Sequence, residues 1–114
     1  MDTDSILLTV KKLCTGSDAD NSYDDELVIH TNTVLTTLND LGVGPEGGFS
    51  IDDEGQTYSE FMGNDPRLNL VKSYLPLKVK MLFDPPTSSS LMQALEHNIS
   101  ELEWRILHKT DTVL

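Results

Sequence analysis

The chain has 114 residues and a formal net charge of −11, because nineteen Asp and Glu residues outnumber eight Lys and Arg residues. This length fits one domain with a modest hydrophobic core, and the sequence holds no run of about 18 apolar residues that would cross a membrane. The negative charge argues against DNA binding, since attraction to phosphates drives such binding. The single Cys14 excludes an internal disulfide, and the acidic start MDTDSILLTV lacks the basic residues of an export signal. A cytosolic setting is therefore expected.

The first predicted element is an amphipathic helix from about Asp4 to Cys14, with Thr3 or Asp4 as its N-cap and Gly16 just past its end. Its apolar residues share one stripe at helical spacing: Ile6, Leu7, Val10, Leu13 and Cys14. A polar linker over residues 17–22 follows this helix. The linker is acidic, and Asp18 and Asp20 are its candidate contact residues.

A second helix is predicted from about Tyr23 to Leu41, with Ser22 as its N-cap and Gly42 at its end. Its first turn carries Asp24 and Asp25, where the helix dipole favours negative charge. These two carboxylates extend the candidate acidic surface. The predicted apolar face consists of Leu27, Thr31, Val34, Leu38 and Leu41.

Residues 43–56, VGPEGGFSIDDEGQ, are rich in glycine and predict a loop with a short extended piece between Phe49 and Ile51. Thr57 and Glu60 have capping-box spacing, which predicts a short helical turn that ends at Gly63. The loop and the acidic linker are expected to be mobile, and such segments commonly carry contacts. Candidate interface residues here are Phe49 and Ile51, and candidate acidic residues are Asp52, Asp53 and Glu54.

The third long helix is predicted from Asp65, as its cap, to about Phe83, with Pro66 at the first helical position. One face carries Leu68, Val71, Leu75, Val79 and Leu82, and a second face carries Leu70, Tyr74, Leu77 and Met81. A helix that is apolar on two sides is usually buried on two sides, so this one is predicted to be central. Pro76 lies inside it and predicts a bend.

Asp84-Pro85-Pro86 predicts a structural corner after this helix, since Pro85 disfavours helical geometry at Asp84. Ser88 to Ser90 then cap a fourth helix that reaches about Leu107 and packs back along the third. Its apolar stripe is Leu91, Leu95, Ile99, Leu102 and Ile106, and its outer face carries Glu96, Glu101 and Glu103. Candidate interface residues are Trp104, Leu102, Glu101 and Glu103, and residues 108–114 are predicted to form a flexible tail.

Together these elements predict an all-α fold, a single-domain bundle of about four main helices over residues 1–114. A glycine-rich loop and a short helical turn separate the second and third of them.

The letters GVGPEG at 42–47 match a dinucleotide-binding motif, but a helix precedes them and Pro45 interrupts them, so a plain loop is expected. The alternating acids at 18–26 lack the Gly and Glu of a calcium loop, whose places hold Tyr23 and Ile29. No catalytic, cofactor-binding or metal-binding residues are predicted, and an enzyme is not expected.

Four segments resemble the head–tail connector proteins of long-tailed phages and prophages of Gram-positive bacteria. They are SILLTVKKL, VIHTNTVLTTLNDLGVGPEGGFSI, LNLVKSYLPLKVKMLFDPPTSSSLMQAL and ISELEWRI. The resemblance spans about residues 5–106, and the LGVGP and FDPPTSS segments followed by ELEWR are its most specific parts. Tyr58 stands where the family is expected to have Trp, and the tail after Ile106 is longer than expected.

The resemblance implies a virion protein at the head–tail junction, made in the cytoplasm of the bacterial host and lacking catalytic activity. About a dozen copies would form a ring on the portal protein, extend the DNA channel and offer a docking surface to the next connector, stopper or tail protein. DNA would be passing cargo that the acidic lumen repels, and no membrane is involved.

A small acidic interaction protein of the host or prophage is the alternative. Such a protein would inhibit a basic partner by presenting carboxylates in place of DNA phosphates. It would act as a monomer or dimer and would need no portal.

Overall fold

Five α-helices and their connecting loops make up residues 4–108, which is the part of the chain that the computed structural model describes. The helices are α1 (Ile6–Thr15), α2 (Asp24–Asp40), α3 (Tyr58–Met62), α4 (Leu68–Phe83) and α5 (Ser89–His108). No strand occurs in this range, where Ser5 and Thr57 form an isolated β-bridge. The predicted all-α bundle, with its short helical turn before α4, is confirmed. The predicted tail lies outside the described residues except for His108.

The central position predicted for α4 is confirmed, because this helix packs against each of the other four. Val71, Leu75 and Val79 are fully buried on one face, and Tyr74 is fully buried on the other. Leu82 departs from the prediction, since 42% of its surface is exposed at the end of the helix. Pro76 lies inside α4 and is buried, and the bend expected there stays a prediction.

The core is one cluster of buried side chains from all five helices and the loop after α2. Its fully buried members include Ile6, Val10, Leu27, Leu35, Leu38, Val43, Tyr58 and Ile106. Cys14 is buried as predicted, and desolvation raises the pKa of its thiol to about 11. Leu13, which the sequence pattern placed in the core stripe, is 41% exposed, although it lies two helical turns after the buried Ile6 on the same face of α1.

Two predicted helix caps are wrong. Ser5 caps α1, since its Oγ accepts a hydrogen bond from the Leu8 amide at 3.3 Å, whereas Thr3 lies outside the described residues. Ser5 is held there because its hydroxyl also donates to the Glu54 carbonyl at 2.8 Å. The N-cap of α2 is Tyr23 rather than Ser22, and no side chain caps it.

The start of α4 also differs from the prediction. The helix begins at Leu68, after a turn in which Asp65 accepts a hydrogen bond from the Arg67 backbone amide at 2.9 Å. The same carboxylate binds the Arg67 guanidinium, so it is occupied by a side chain rather than by a helix terminus. Pro66 therefore lies in the turn and not in the helix.

The predicted corner is confirmed. The Asp84 amide closes α4 with a 2.7 Å bond to the Lys80 carbonyl, and the Asp84 backbone then leaves helical geometry at φ −150° and ψ 72°. Pro85 requires this departure. Ser88 Oγ accepts from the Leu91 amide at 3.5 Å and caps α5, which returns antiparallel to α4.

The glycine-rich loop, predicted as mobile, is hydrogen-bonded to α2 at two points. The Asn32 side chain brackets Ile51, donating to its carbonyl at 3.0 Å and accepting from its amide at 2.7 Å. The Asn39 amide donates to the Pro45 carbonyl at 2.7 Å. Residues 49–51 form no strand, and the loop instead reaches the bundle through Phe49, whose ring centroid lies 5.2 Å from that of Phe61.

Glycine is required at position 44 by its backbone conformation and by the nearby ring of Phe61. The φ of Gly44 is +87°, and a Cβ there would lie 2.4 Å from Cε1 of Phe61, a buried ring. We expect Gly44→Ala to lower the free energy of unfolding by about 2 kcal/mol, through backbone strain and steric overlap. Urea denaturation followed by circular dichroism measures the change.

Gly47→Ala is the matched control, since a Cβ at Gly47 meets no atom within 4 Å. It should stay within about 0.5 kcal/mol of the parent protein. Equal losses in the two variants would contradict the steric explanation for Gly44.

Candidate interaction surfaces

Two acidic segments that are far apart in sequence meet in one concave surface of about 600 Å³, here called the acidic concavity. Its lining residues include Leu7, Asn21, Asp24, Asp25, Val28, Asp52, Asp53 and Glu54. Within residues 4–108, Asp24 is the one carboxylate of this set that pairs with a basic side chain. The concavity therefore presents a concentrated negative charge that repels phosphates and attracts basic groups.

The acidic residues of the linker lie elsewhere. Asp18 is exposed and does not line the acidic concavity, and Asp20 lines a separate concavity beside Tyr23 and Phe83. The Ser22 backbone amide donates to the Asp20 carboxylate at 2.9 Å and lowers its pKa. The structure thus brings together five of the seven predicted acidic residues.

Lys11 holds the start of α2 beside α1, and the sequence analysis missed it. The lysine is fully buried, and its Nζ lies 2.5 Å from Asn21 Oδ1 and 3.2 Å from Asp24 Oδ1. Burial of a charge is costly unless it is paired, so this ion pair fixes where the linker rejoins the bundle. The sequence does contain a signal for this burial. Lys11 lies within the apolar stripe of α1, four residues after Leu7 and three before Cys14.

The predicted interface residues of α5 divide between two faces. Trp104 is 63% exposed, with its ring centroid 4.4 Å from that of His108, and Glu101 is exposed as well. Both positions are accessible to a partner. Leu102 is half-buried against the core, so Leu102→Asp would disturb folding and would not test an interface cleanly.

Glu103 does not lie on the outer face, contrary to the prediction. Its Oε2 accepts a hydrogen bond from the Tyr74 hydroxyl at 2.6 Å and lies 3.6 Å from Lys78 Nζ. Position 103 follows Ile99 by one helical turn and therefore faces α4. Burial of the Tyr74 phenol, together with the adjacent carboxylate, raises the pKa of Tyr74.

The two predicted loop contacts are structural as well. Ile51 is 3% exposed and belongs to the core, and Phe49 is half-buried and packs against Phe61. Neither was recognisable as a core residue from the sequence, because no periodic pattern surrounds them. Only the loop's hydrogen bonds to Asn32 turn Ile51 inward.

The first half of α5 has little cover from the rest of the chain. No residue from Ser89 to Asn98 is buried, and Leu91 is 63% exposed. The apolar stripe is buried further along the helix, at Ile99 and Ile106. The predicted stripe is therefore correct in spacing, but in its first half Leu95 is only partly buried against the core and Leu91 is exposed.

A second concave surface lies between α1 and α4 and was not predicted from the sequence. This basic groove, of about 420 Å³, is lined by Thr9, Lys12, Leu13, Lys72, Ser73, Pro76 and Leu77. Its floor is mainly apolar, and two lysines belong to its wall. Lys72 also lies 5.6 Å above the centroid of the buried Tyr58 ring.

Arg67 joins three helix ends and was likewise missed. The arginine is 6% exposed, and its guanidinium donates to the Gly42 carbonyl after α2 at 3.0 Å and to the Ile106 carbonyl at 3.5 Å. Asp65 accepts from the same group at 2.6 Å, and this bond lowers the pKa of Asp65. Buried carbonyls at helix ends are thereby satisfied.

Within residues 4–108, no group of three or more His, Cys, Asp or Glu side chains is arranged to hold a metal ion. No helix in the same range is both long enough and apolar enough to cross a membrane.

The Asp65–Arg67 pair predicts an acid-dependent change in stability. The folded pKa of Asp65 lies below its ordinary value of 3.8, so the stabilisation is present at neutral pH and is lost as the pH falls below about 4. Asp65→Asn should lower the free energy of unfolding by about 1–3 kcal/mol at pH 7. The difference in free energy of unfolding between the variant and the parent protein should shrink toward pH 3. Urea titrations at each pH measure this difference.

Asp40→Asn, which alters an exposed carboxylate of α2, is the control at neutral pH. It should change stability by less than about 0.5 kcal/mol. A deficit for Asp65→Asn that stays constant from pH 7 to pH 3 would contradict the assigned role of the ion pair.

Comparison with known protein families gives one match that spans all five helices. A family model described as phage connector protein matches residues 6–113. The comparison with curated proteins gave no match, and neither did the comparison with solved structures.

Proposed function

The chain belongs to the phage connector protein family, and from this premise we propose that it is a structural head–tail connector that forms a ring on the portal protein. The ring extends the DNA channel and provides the docking surface for the next connector, stopper or tail protein. The protein is made in the cytoplasm of the host and takes its place at the head–tail junction of the virion. It acts by assembly and not by catalysis.

The exposed apolar surface of α5 is the observation that carries this proposal. An exposed apolar stripe is destabilising in an isolated chain and is typical of surfaces that another subunit covers. Leu91 is 63% exposed at one end of the helix, and Trp104 is 63% exposed near the other. Trp is enriched among the residues that dominate binding energy at interfaces, so Trp104 is the proposed anchor.

The negative charge supports the role of a DNA conduit. A ring of about a dozen chains at −11 each would carry roughly 130 negative formal charges. Such a field repels DNA phosphates from the wall of a channel and so disfavours binding of the passing DNA.

The same carboxylates favour the alternative function, an acidic inhibitor that presents charge to a basic partner. The two functions differ in where the protein is found. A connector is retained in intact particles at a copy number set by the portal, whereas an inhibitor is left behind in the cell.

Quantitative mass spectrometry of purified phage particles tests the proposal. Particles from cells that carry the gene should contain about one copy of this chain per portal subunit, because the ring is seated on the portal. Absence from intact, DNA-filled particles would overturn the connector function and favour the inhibitor.

Trp104→Ala tests the proposed anchor in the same assay. The variant, supplied in place of the wild-type chain, should be incorporated at least about tenfold less, as expected for loss of a large aromatic contact. Its folding stability should change little, since Trp104 is mostly exposed.

Ser100→Ala, an exposed change on the same helix, is the matched control and should be incorporated normally. Wild-type incorporation of Trp104→Ala would show that the anchor lies elsewhere on the molecule.

A further inference from the structure

We propose that the basic groove between α1 and α4 of one copy receives the acidic loop at 52–54 of the next copy. This contact would be the repeating interface of the ring, and the inference therefore rests on the proposed connector function. The occupant of the groove is thus a second copy of this chain.

The two surfaces have complementary charge. Lys12 and Lys72 line the groove, and Lys80 follows Pro76 by one helical turn on the same side of α4. Asp52, Asp53 and Glu54 are all exposed at the edge of the acidic concavity. A contact between these sets gives attraction where two chains of −11 would otherwise repel each other.

The remaining basic side chains are mostly engaged within the subunit. Lys11 pairs with Asp24, Arg67 with Asp65, and Lys78 with Glu103. Among residues 4–108, the basic side chains that form no ion pair with a carboxylate are Lys12, Lys72, Lys80 and Arg105. Three of these four lie at the groove or one turn from it, so within residues 4–108 the groove is the main place that can attract an acidic segment.

The acidic loop is held in a defined shape before any contact forms. The Gln56 side chain accepts from the Asp52 amide at 3.0 Å and from the Asp53 amide at 3.2 Å. The Glu54 carbonyl accepts from Ser5 Oγ at 2.8 Å. A loop ordered in this way loses little conformational entropy on docking.

The two surfaces lie on opposite sides of α1. Leu7 lines the acidic concavity, whereas Lys12 and Leu13 line the basic groove. Successive residues of an α-helix are about 100° apart, which places Lys12 about 140° and Leu13 about 240° around the helix from Leu7. Two different, complementary surfaces on opposite sides of a subunit are what head-to-tail association into a ring requires.

Charge-reversal variants, counted per portal subunit in purified particles, test the contact. The groove variant is Lys12→Glu with Lys72→Glu, and the loop variant is Asp52→Lys with Glu54→Lys. Each variant alone should be incorporated at least about tenfold less than the wild-type chain, because like charges then face each other. Supplied together in equal amounts, they should return to within about twofold of the wild-type level, since each reversed surface then meets its complement.

A single exposed change serves as the control for charge alone. Glu46→Lys alters the net charge by the same amount as Asp52→Lys but changes another exposed position in the glycine-rich loop. It should be incorporated normally. Lys12→Glu by itself should still be incorporated less than the wild-type chain. This single variant leaves Lys72 on the Tyr58 ring, so it tests the contact even if the double groove variant folds poorly.

The outcomes separate the inference from the function on which it rests. Absence of the wild-type chain from particles would overturn both. Normal incorporation of the wild-type chain together with normal incorporation of the single-surface variants would overturn the groove–loop contact and leave the connector function standing. Deficient variants that do not rescue each other would show that the two surfaces bind other partners, and this result would also overturn the proposal.

Discussion

The burial of α4 on both of its sides is the constraint on which the rest of the structure depends. A helix with apolar residues on two sides is stable in water only if neighbours cover both of those sides. The other helices all contact it: α1, α2 and α3 come before it in sequence and α5 comes after it. The corner at Asp84-Pro85-Pro86 follows from this constraint, because α5 can cover α4 only if the chain reverses direction.

Polar side chains then set the relative positions of these helices. Arg67 joins the ends of α2 and α5 to the start of α4, Lys11 joins α1 to the start of α2, and Tyr74 binds Glu103 across α4 and α5. One partner in each contact, Arg67, Lys11 or Tyr74, is buried, so removal of the other partner would leave an unsatisfied buried group. Hydrophobic contact alone would permit sliding between helices, whereas these directional bonds favour one arrangement.

The proposed functions use what this arrangement leaves uncovered. Attachment of α5 to α4 buries the second half of α5 and exposes the first half, and the pairing of Lys11 with Asp24 brings the first turn of α2 beside the loop at 52–54. The proposed connector ring would give these surfaces a context, an assembly of many copies. In that context we expect three exposed features to be contact surfaces: the acidic concavity, the basic groove and Trp104.

The sequence by itself determined the helices, the central place of α4 and the corner before α5, because these depend on local periodicity and on the backbone restrictions of proline. It also indicated the family, through segments spread along nearly the whole chain. Only the tertiary structure decided that Ile51 is buried, that Glu103 faces inward and that Lys11 and Arg67 are buried ion-pair partners. The basic groove and the acidic concavity likewise needed the fold, since each is built from segments distant in sequence. A charged side chain in a one-dimensional pattern does not show its partner, because the partner is chosen by packing between helices and not by spacing along the chain.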